Sequence, residues 1–358
     1  MKLKPYAALL LVFALTLTLL SGCKPKEPDP TPTPDPTPTE EVTPTPEPSA
    51  EPTETPSLAQ DEKVRVGMLK GTTGLGACKL MEDKKDSATM EFVLMAEPTE
   101  AVAALTKGEV DIAALPTNLA ATLYHKLDGG IQLLCLNTYG VLYILERGES
   151  LRSLHDLAGK TVHAFGQGAN PEYVLNYLLE QNDLIPGEDV TVQWHASTDE
   201  VSALLAAGEI DYAMLPVPAA TAASIQGEGV RLAVDLTREW QDIGAGGVLT
   251  MGCVVVRTEF AENNPEAVEQ FLEDYEASIT FMSDPDNLEE AAALAETYGI
   301  IPKAAIAKKA LPDANLCFVT GEDMVSGIQG YYQVLYKADP ASIGGGIPDG
   351  AFYYTSQR

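Results

Sequence analysis

The sequence has little positive charge. It contains 23 Lys and Arg residues against 52 Asp and Glu residues, which gives a formal net charge of -29 at pH 7. Ten of the acids and four of the lysines precede Lys63, so 42 acids and 19 bases remain from there, a balance of about -23. A surface this acidic repels nucleic acid and anionic lipid headgroups. We therefore predict no nucleic-acid partner, although a small anion held by local groups stays possible.

Cysteine and histidine are also scarce. There are five cysteines and four histidines, and no two cysteines have the CxxC spacing. The histidines, at positions 125, 155, 163 and 195, lack the spacing of zinc ligands, so we predict neither a metal site nor a cofactor. Four cysteines are far apart and lie mostly in apolar runs. This favours buried free thiols over disulfides for Cys78, Cys135, Cys253 and Cys317.

The N-terminus has the pattern of an export signal. Lys2 and Lys4 precede an apolar run, Tyr6–Leu20, which is short for a membrane span and is followed by small residues and Cys23. The pattern predicts a signal peptide over residues 1–22; an uncleaved anchor helix is the alternative. The segment "LSGC" resembles the bacterial lipobox, which implies cleavage before Cys23 and lipidation of that cysteine.

Residues 23–62 are predicted to form the lipidated cysteine and a disordered spacer. Twelve prolines fall between Pro25 and Pro56, nearly all beside Thr, Glu or Asp. Such a segment cannot build a core and favours an extended polyproline II conformation. At roughly 3.1 Å per residue, it would reach on the order of 100 Å from a membrane.

A nine-residue motif occurs twice, 100 residues apart. "GEVDIAALP" begins at Gly108 and "GEIDYAMLP" begins at Gly208. Each copy is typical of a helix that ends at glycine, followed by an apolar strand and a proline that opens a new helix. The long period indicates a duplicated α/β lobe rather than a solenoid repeat. Asp111 and Asp211 are expected to lie within the strands and to form structural ion pairs.

The rest of the globular part alternates strands and helices with short loops, which predicts mainly parallel sheets flanked by helices. Two long apolar runs, 131–148 and 246–260, enclose a separate α/β segment and are typical of a two-strand hinge. We therefore predict an α/β fold with two lobes. The first comprises residues 63–145 and 249–358, and the second comprises residues 146–248.

Several segments together resemble a known family. They are "LKGTTGLGACKLMED", "GEVDIAALPTNLAATLYHK", "GVLYILERG", "DLAGKTVHAFGQGANPEYVLNYLLEQN", "LEDYEAS" and "SIGGGIPDGAFYY". The arrangement resembles the solute-binding lipoproteins of bacterial ABC importers, which have the type II periplasmic-binding fold, in the nitrate/taurine/thiamine-pyrimidine-precursor branch. The resemblance implies an extracytoplasmic protein, lipid-anchored to the cell membrane, that captures a small solute between its lobes. The implied partners are an ABC permease and its ATPase subunits.

The same branch contains enzymes of thiamine-pyrimidine and menaquinone-type metabolism, which form the alternative. The yeast-type enzymes carry a cysteine-rich iron motif that this sequence lacks, and no catalytic constellation stands out at the strand ends. A sensing ectodomain of a receptor would need a transmembrane helix joined to a signalling domain. We expect a binding protein and not an enzyme.

In open α/β sheets, ligands bind beyond the carboxyl ends of the strands. Residues carried over from the family by position offer hydroxyls, amides and helix-end N–H groups there, with only Lys70 as a nearby base. Tyr139 is either a stacking residue or a core residue, and Trp240 either faces the ligand or packs the lobes. We predict a small planar, heterocyclic or weakly anionic solute. The candidate ligand-binding residues are Gly71, Thr72, Thr73, Pro116, Thr117, Asn118, Tyr139, Gly166, Gln167, Gly168, Pro216, Val217 and Trp240.

Overall fold

The computed structural model describes residues 63–356, which form two sheets with helices packed on them. The predicted signal peptide, Cys23 and the spacer up to residue 62 lie outside the described residues. In chain order the strands are β1 Val64–Leu69, β2 Met90–Met95, β3 Ile112–Pro116, β4 Ile131–Tyr139, β5 Leu142–Arg147, β6 Thr161–Phe165, β7 Thr191–His195, β8 Tyr212–Pro216, β9 Val230–Asp235, β10 Thr250–Arg257 and β11 Leu316–Val319.

The helices connect these strands, and a helical segment follows β10. They are α1 Thr72–Leu75, α2 Cys78–Asp83, α3 Pro98–Lys107, α4 Thr117–Lys126, α5 Asn170–Gln181, α6 Thr198–Ala207, α7 Ala219–Gln226, α8 Leu236–Asp242, α9 Thr258–Asn263, α10 Pro265–Ser283, α11 Leu288–Thr297, α12 Ala304–Ala310 and α13 Gly321–Ala338.

Five strands have the same topology in both sheets, and the first sheet has β11 as an additional edge strand. The first has the order β11-β4-β10-β3-β1-β2, and the second has the order β7-β6-β8-β5-β9. In the first sheet β1, β2, β3 and β4 run in one direction, and β10 and β11 run against them. In the second sheet only β5 is reversed. The reversed strand inside each sheet is the one that has just crossed from the other sheet, so the predicted two-lobed α/β fold is confirmed.

The repeated motif occupies the same place in both sheets. Its two copies supply β3 and β8, the third strand of each parallel set, and both preceding helices end at a left-handed glycine, Gly108 or Gly208. The carbonyl oxygen of Asp111 accepts the Arg257 N–H at 2.9 Å, and that of Asp211 accepts the Arg147 N–H at 2.8 Å. The repeat therefore marks a duplicated lobe, as its period predicts.

The side chains of the two aspartates have different surroundings. Both directly precede a strand instead of lying within it, which corrects the prediction from the sequence. Asp111 is buried and pairs with Arg65 at 2.5 Å and Arg257 at 3.6 Å. Asp211 is exposed, and Thr161 stands where the strand register would place the counterpart of Arg65. The structural ion pair is therefore confirmed for Asp111, whereas the described residues give Asp211 no ion pair.

The chain passes between the sheets twice. The first passage is short, because β4 ends at Tyr139 and β5 begins at Leu142. The second runs from β9 through α8 to β10; α8 packs on the second sheet and α5, while the loop after α8 docks on α13. In that loop the Val248 N–H donates to the carbonyl of Gly327 at 2.8 Å.

Apolar side chains of both sheets join into continuous clusters, so the lobes are in contact on both sides of the passages. On one side α5 packs on α13, and on the other α7 packs on α12. The four cysteines within residues 63–356 are free, as predicted; Cys78, Cys135 and Cys253 are buried, whereas Cys317 is half-buried. Among the described helices, none combines the length and the apolar character needed to cross a membrane.

A buried carboxylate in β5 holds the loop that follows this strand. Glu146 is 0 % exposed and accepts hydrogen bonds from the Ser150 hydroxyl at 2.9 Å and the Leu151 N–H at 2.9 Å. It also forms an ion pair with Arg231. Burial by itself would raise the pKa of the Glu146 carboxyl, but the bonds from Ser150, Leu151 and Arg231 outweigh it and lower the pKa.

Glu146→Gln is therefore expected to destabilise the protein by about 2 kcal/mol at pH 7, because charge-assisted hydrogen bonds are lost. A lowered folded-state pKa gives stability that is present above the unfolded pKa, about 4.3, and is lost as the pH falls through the folded pKa. The difference in unfolding free energy between wild type and variant should thus shrink in acid. Urea unfolding at several pH values measures it, with the exposed Glu149→Gln as control. A difference that does not vary with pH would contradict this assignment.

Candidate functional site

Hydroxyl and amide groups gather at the carboxyl ends of the first sheet's strands. The short helix α1, which follows β1, places Thr72 and Thr73 beside the end of β4. There the Asn137 amide donates to the Thr73 carbonyl at 2.8 Å, and the Thr138 hydroxyl reaches the Thr72 carbonyl at 3.5 Å. Gly252 in β10 leaves room for this arrangement, since a Cβ there would lie 2.6 Å from Oδ1 of Asn137. The structure therefore fixes the candidate residues Thr72 and Thr73 against two polar residues of β4.

A second pair of hydroxyls lies at the start of α4. Thr117 and Thr250 are both fully buried, and their Oγ1 atoms are 3.3 Å apart. The Thr250 hydroxyl also contacts the Thr138 carbonyl at 3.3 Å, while Tyr332 donates to the Thr117 carbonyl at 3.0 Å. The ends of β3, β4 and β10 thus meet at one polar cluster.

The second lobe meets this cluster through the first turn of α5. The Asn170 amide donates to Sδ of Met251, next to Thr250, at 3.0 Å. Oδ1 of Asn170 and the hydroxyl of Tyr331 are buried near each other, and within residues 63–356 neither atom makes a hydrogen bond of standard geometry, although the two side chains interact. Burial raises the pKa of Tyr331 well above its usual value, and the nearby Asn170 side chain opposes that shift. Since a buried polar atom without a partner costs about 1–3 kcal/mol, this pair is suited to an added ligand group.

We call the line where the polar cluster of the first lobe meets the first turn of α5 in the second lobe the seam. The helices that start at the seam differ in their capping from the helices that start farther out along the same sheet edges. At the outer helices, Glu97 and Glu100 cap α3, and Ser197 caps α6. At the inner helices, no side chain caps α4, α5 or α7, whose N-caps are Pro116, Ala169 and Pro218. Uncapped helix starts present free N–H groups and a partial positive charge. The seam can therefore receive a carbonyl oxygen or an oxyanion.

Basic side chains of the strands lie at the other edge. Arg65 and Arg231 are in the first two residues of β1 and β9, and Arg147 and Arg257 end the reversed strands β5 and β10. Lys70, at the end of β1, is exposed. Neutral donors therefore dominate the seam.

The aromatic candidates differ in position. Trp240 is 0 % exposed, with its ring 5.2 Å from that of Tyr177 and 6.3 Å from that of Tyr331, and its Nε1 donates to the Gly247 carbonyl at 3.3 Å. Tyr139 is half-buried at the end of β4, where it pairs in register with Thr250 of β10, and it lies near Cys317. In this conformation Trp240 packs helices of both lobes against each other, and it contacts the Tyr331 that borders the seam.

The remaining candidates lie around the seam. The Asn118 amide donates outward to the Ser342 carbonyl at 3.4 Å. Gly166 packs on Pro171, where a Cβ would lie 2.8 Å from that ring, while Gln167 and Gly168 form an exposed turn. Other positions flank the passages or α1. Gly71, which precedes α1, is half-buried with φ 85°. Pro116 pairs with Gly252, Pro216 pairs with Leu142, and the Val217 N–H donates to the Val141 carbonyl at 2.9 Å.

Sequence reasoning missed the residues that complete the cluster. Asn137 and Thr138 interrupt the apolar run of β4 just before the passage, and Thr250 begins β10 just after it. A polar residue at the end of an otherwise apolar strand was the available signal. Nothing in the sequence pointed to Asn170 and Tyr331 meeting each other. Across residues 63–356, no group of three or more His, Cys, Asp and Glu side chains is arranged to hold a metal ion.

Comparison with known structures identifies the fold. The chain is 21% identical to an ABC transporter protein from Parabacteroides distasonis, with a TM-score of 0.69 and coverage of 82% of this chain and 99% of that one. It is 18% identical to the periplasmic aliphatic sulphonate binding protein SsuA of Escherichia coli, with a TM-score of 0.65 and coverage of 84% and 94%. For the alkanesulfonate-binding protein of Xanthomonas axonopodis, bound to MOPS, the identity is 18%, the TM-score 0.57 and the coverage 78% and 93%. The predicted type II periplasmic-binding fold is confirmed.

The family follows from the sequence itself. A search of curated proteins found no match. Residues 81–306 match the family model described as ABC transporter, phosphonate, periplasmic substrate-binding protein. These residues contain both copies of the repeated motif and most of the polar cluster. Proteins of this family are extracytoplasmic solute-binding components and not enzymes. The chain belongs to the phosphonate-type periplasmic substrate-binding proteins of ABC transporters.

Proposed function

We propose that this substrate-binding component holds its solute at the seam between the lobes, among the candidate residues and the polar cluster. The proposal takes residues 63–145 and 249–358 as one lobe and residues 146–248 as the other. The observation that supports it is the pair of buried polar atoms, Oδ1 of Asn170 and the hydroxyl of Tyr331, which come from opposite lobes and make no hydrogen bond of standard geometry.

The chemistry of the seam favours a small solute with oxygen acceptors. Three uncapped helix starts and the threonine hydroxyls donate hydrogen bonds, and the strand arginines lie at the opposite edge. A helix N-terminus carries about half a positive charge, which suits a carbonyl, a ring nitrogen or a weak anion better than a dianion. The ligand is therefore a planar heterocycle or a weakly anionic compound. The sulfonates named for two structural neighbours are among the oxyanions that fit this description.

A solute that contacts both lobes favours the closed arrangement by its differential affinity. The hinge would lie at 139–148 and 246–252, where the chain changes sheets. The closed protein would then deliver its solute to an ABC permease and the ATPase subunits of that transporter.

The test is a thermal melting screen of pyrimidines, pterins, flavins, aromatic acids, alkyl sulfonates, alkyl phosphonates and nitrate. A ligand of the folded state should stabilise it by about 2.7 kcal/mol at a hundredfold excess over the Kd. Thr117→Val and Asn170→Ala should each weaken that ligand about fivefold, because each removes a hydrogen-bonding group. Thr106→Val, on the exposed face of α3, should leave the affinity unchanged.

Two results would contradict the proposal that the solute binds at the seam. One is a stabilising ligand whose affinity neither Thr117→Val nor Asn170→Ala changes. The other is an identical small-angle scattering profile with and without that ligand, because closure predicts a smaller radius of gyration. If aromatic heterocycles fail and only nitrate or alkyl oxyanions stabilise the protein, the planar-ligand proposal is wrong while the site stands.

We further propose that Cys23 carries the lipid that anchors the protein to the outer face of the cell membrane. The lipobox-like "LSGC" after an apolar run supports this. Cys23→Ala should release the protein into the soluble fraction or leave it unprocessed, as judged by fractionation and electrophoretic mobility. Unchanged membrane partition and mobility would contradict lipidation; Cys317→Ala, which leaves the signal intact, is the control.

A further inference from the structure

A groove runs along the outer face of α13, outside the seam. Its upper part has a volume of about 710 Å³ and lies between α13 of the first lobe and α5 of the second. The lower part, about 460 Å³, continues beside the segment 347–355, and Gln333 lines both parts. Gly330 of α13 lies in the lining of the upper part, next to Ala245 of the loop that crosses this helix. These volumes are in the range of ligand sites, and the shape is that of an extended ligand.

The lining of the groove combines tyrosine rings with free amides. Tyr173 and Tyr177 lie one turn apart on α5, and Gln329 and Gln333 lie one turn apart on α13. Four residues of a helix rise about 6 Å, so both helices offer the same groups at a repeated spacing. Gln329 and Gln333 are exposed and the neighbouring Asn176 is half-buried, and within residues 63–356 none of the three amides bonds to another protein group. Tyrosine rings and amides that repeat at this spacing fit a polymer whose own groups repeat at a short distance.

The charged side chains that line the groove indicate which class of polymer fits it. Carboxylates, which only accept hydrogen bonds, line the groove at Glu172, Glu180 and Asp349, and Lys337 adds a donor. A proline-rich peptide offers mainly carbonyl acceptors, and a polyanion would be repelled by the acidic domain. Sugar hydroxyls both donate and accept, and sugar rings pack on tyrosine faces.

We propose that this groove is a second binding site, separate from the solute seam, that takes a neutral oligosaccharide chain. The upper part touches both lobes. Its Tyr177 packs on Trp240, whose ring also packs on Tyr331 at the seam. A saccharide bound there should therefore change the indole environment of Trp240.

The test titrates the folded protein with cellotetraose, maltotetraose and tetra-N-acetylchitotetraose by calorimetry and tryptophan fluorescence. We expect saturable, millimolar or tighter binding of at least one of them. Asn176→Ala and Gln333→Ala should each weaken it about fivefold, the loss of one hydrogen bond, and the double variant should abolish it. Gln270→Ala, an exposed amide on α10, is the matched control, and circular dichroism checks that each variant is folded.

Several results would overturn the proposal. No binding of any of the three tetrasaccharides at millimolar concentration would do so, as would binding that persists in the double variant. A synthetic peptide of residues 24–56 is tested in parallel. If that peptide binds, Gln333→Ala weakens its binding and no saccharide binds, the groove is a peptide site instead. Failure of the solute screen affects none of these outcomes, because the groove and the seam have different lining residues.

Discussion

Gly330→Ala is expected to destabilise the protein by about 3 kcal/mol, as overpacking against backbone does. The loop of the second passage crosses α13 so closely that a Cβ at this position would lie 1.3 Å from the carbonyl oxygen of Gly246. Backbone cannot yield as a flexible side chain can, so the loop must move away. That loop also accepts the Trp240 indole N–H through Gly247, so its displacement disturbs the aromatic packing between the lobes.

The matched control is Gly327→Ala, one turn earlier on the same helix. A Cβ there would meet only Cγ2 of Val248 at 3.5 Å, an ordinary contact. Alanine has a better helix propensity than glycine by about 1 kcal/mol, so this variant should be neutral or more stable. Urea unfolding followed by tryptophan fluorescence measures both variants. Equal stability of the two would contradict the close approach of the loop and α13.

The topology was predictable because its signals are local. Each copy of the repeated motif contains a helix end, a strand and a proline within nine residues, and the same topology places both copies third in their parallel sets. The long apolar runs indicated where the chain changes sheets. Burial of such runs depends little on which partner they meet, so a pattern of residue types was sufficient.

The details of the seam depend on contacts between distant residues, and no local pattern encodes them. Thr117 meets Thr250 across 133 positions, and Asn170 approaches Tyr331 from another lobe. Trp240 looked suited to a ligand because it precedes a passage, yet its ring is enclosed by two tyrosines from different helices. The sequence pattern predicts the edge of the sheet at which the polar side chains lie. Which of these side chains contact one another depends on how the folded chain packs.

The repeated motif also yields a comparison within one chain, because its two aspartates have different surroundings. Asp111→Ala is expected to cost about 3 kcal/mol, the range for removing one partner of a buried ion pair. Its carboxylate accepts the Arg65 N–H and Nε, both at 3.0 Å, and lies 3.6 Å from the guanidinium of Arg257. Without it, two arginines at the amino edge of the first sheet lose their shared counter-charge.

Asp211→Ala changes the same position of the second copy, where the side chain is exposed and Thr161 replaces the arginine. Its effect should stay within about 0.5 kcal/mol, as for most surface substitutions. Urea unfolding of both variants at pH 7 gives the comparison. Alanine keeps the backbone carbonyl that accepts the arginine N–H at both positions, so equal losses would contradict a stabilising role of the Asp111 ion pair. A large loss of unfolding free energy for Asp111→Ala alone would show that both lobes share the backbone motif, but that only the first lobe is also stabilised by an ion pair at this position.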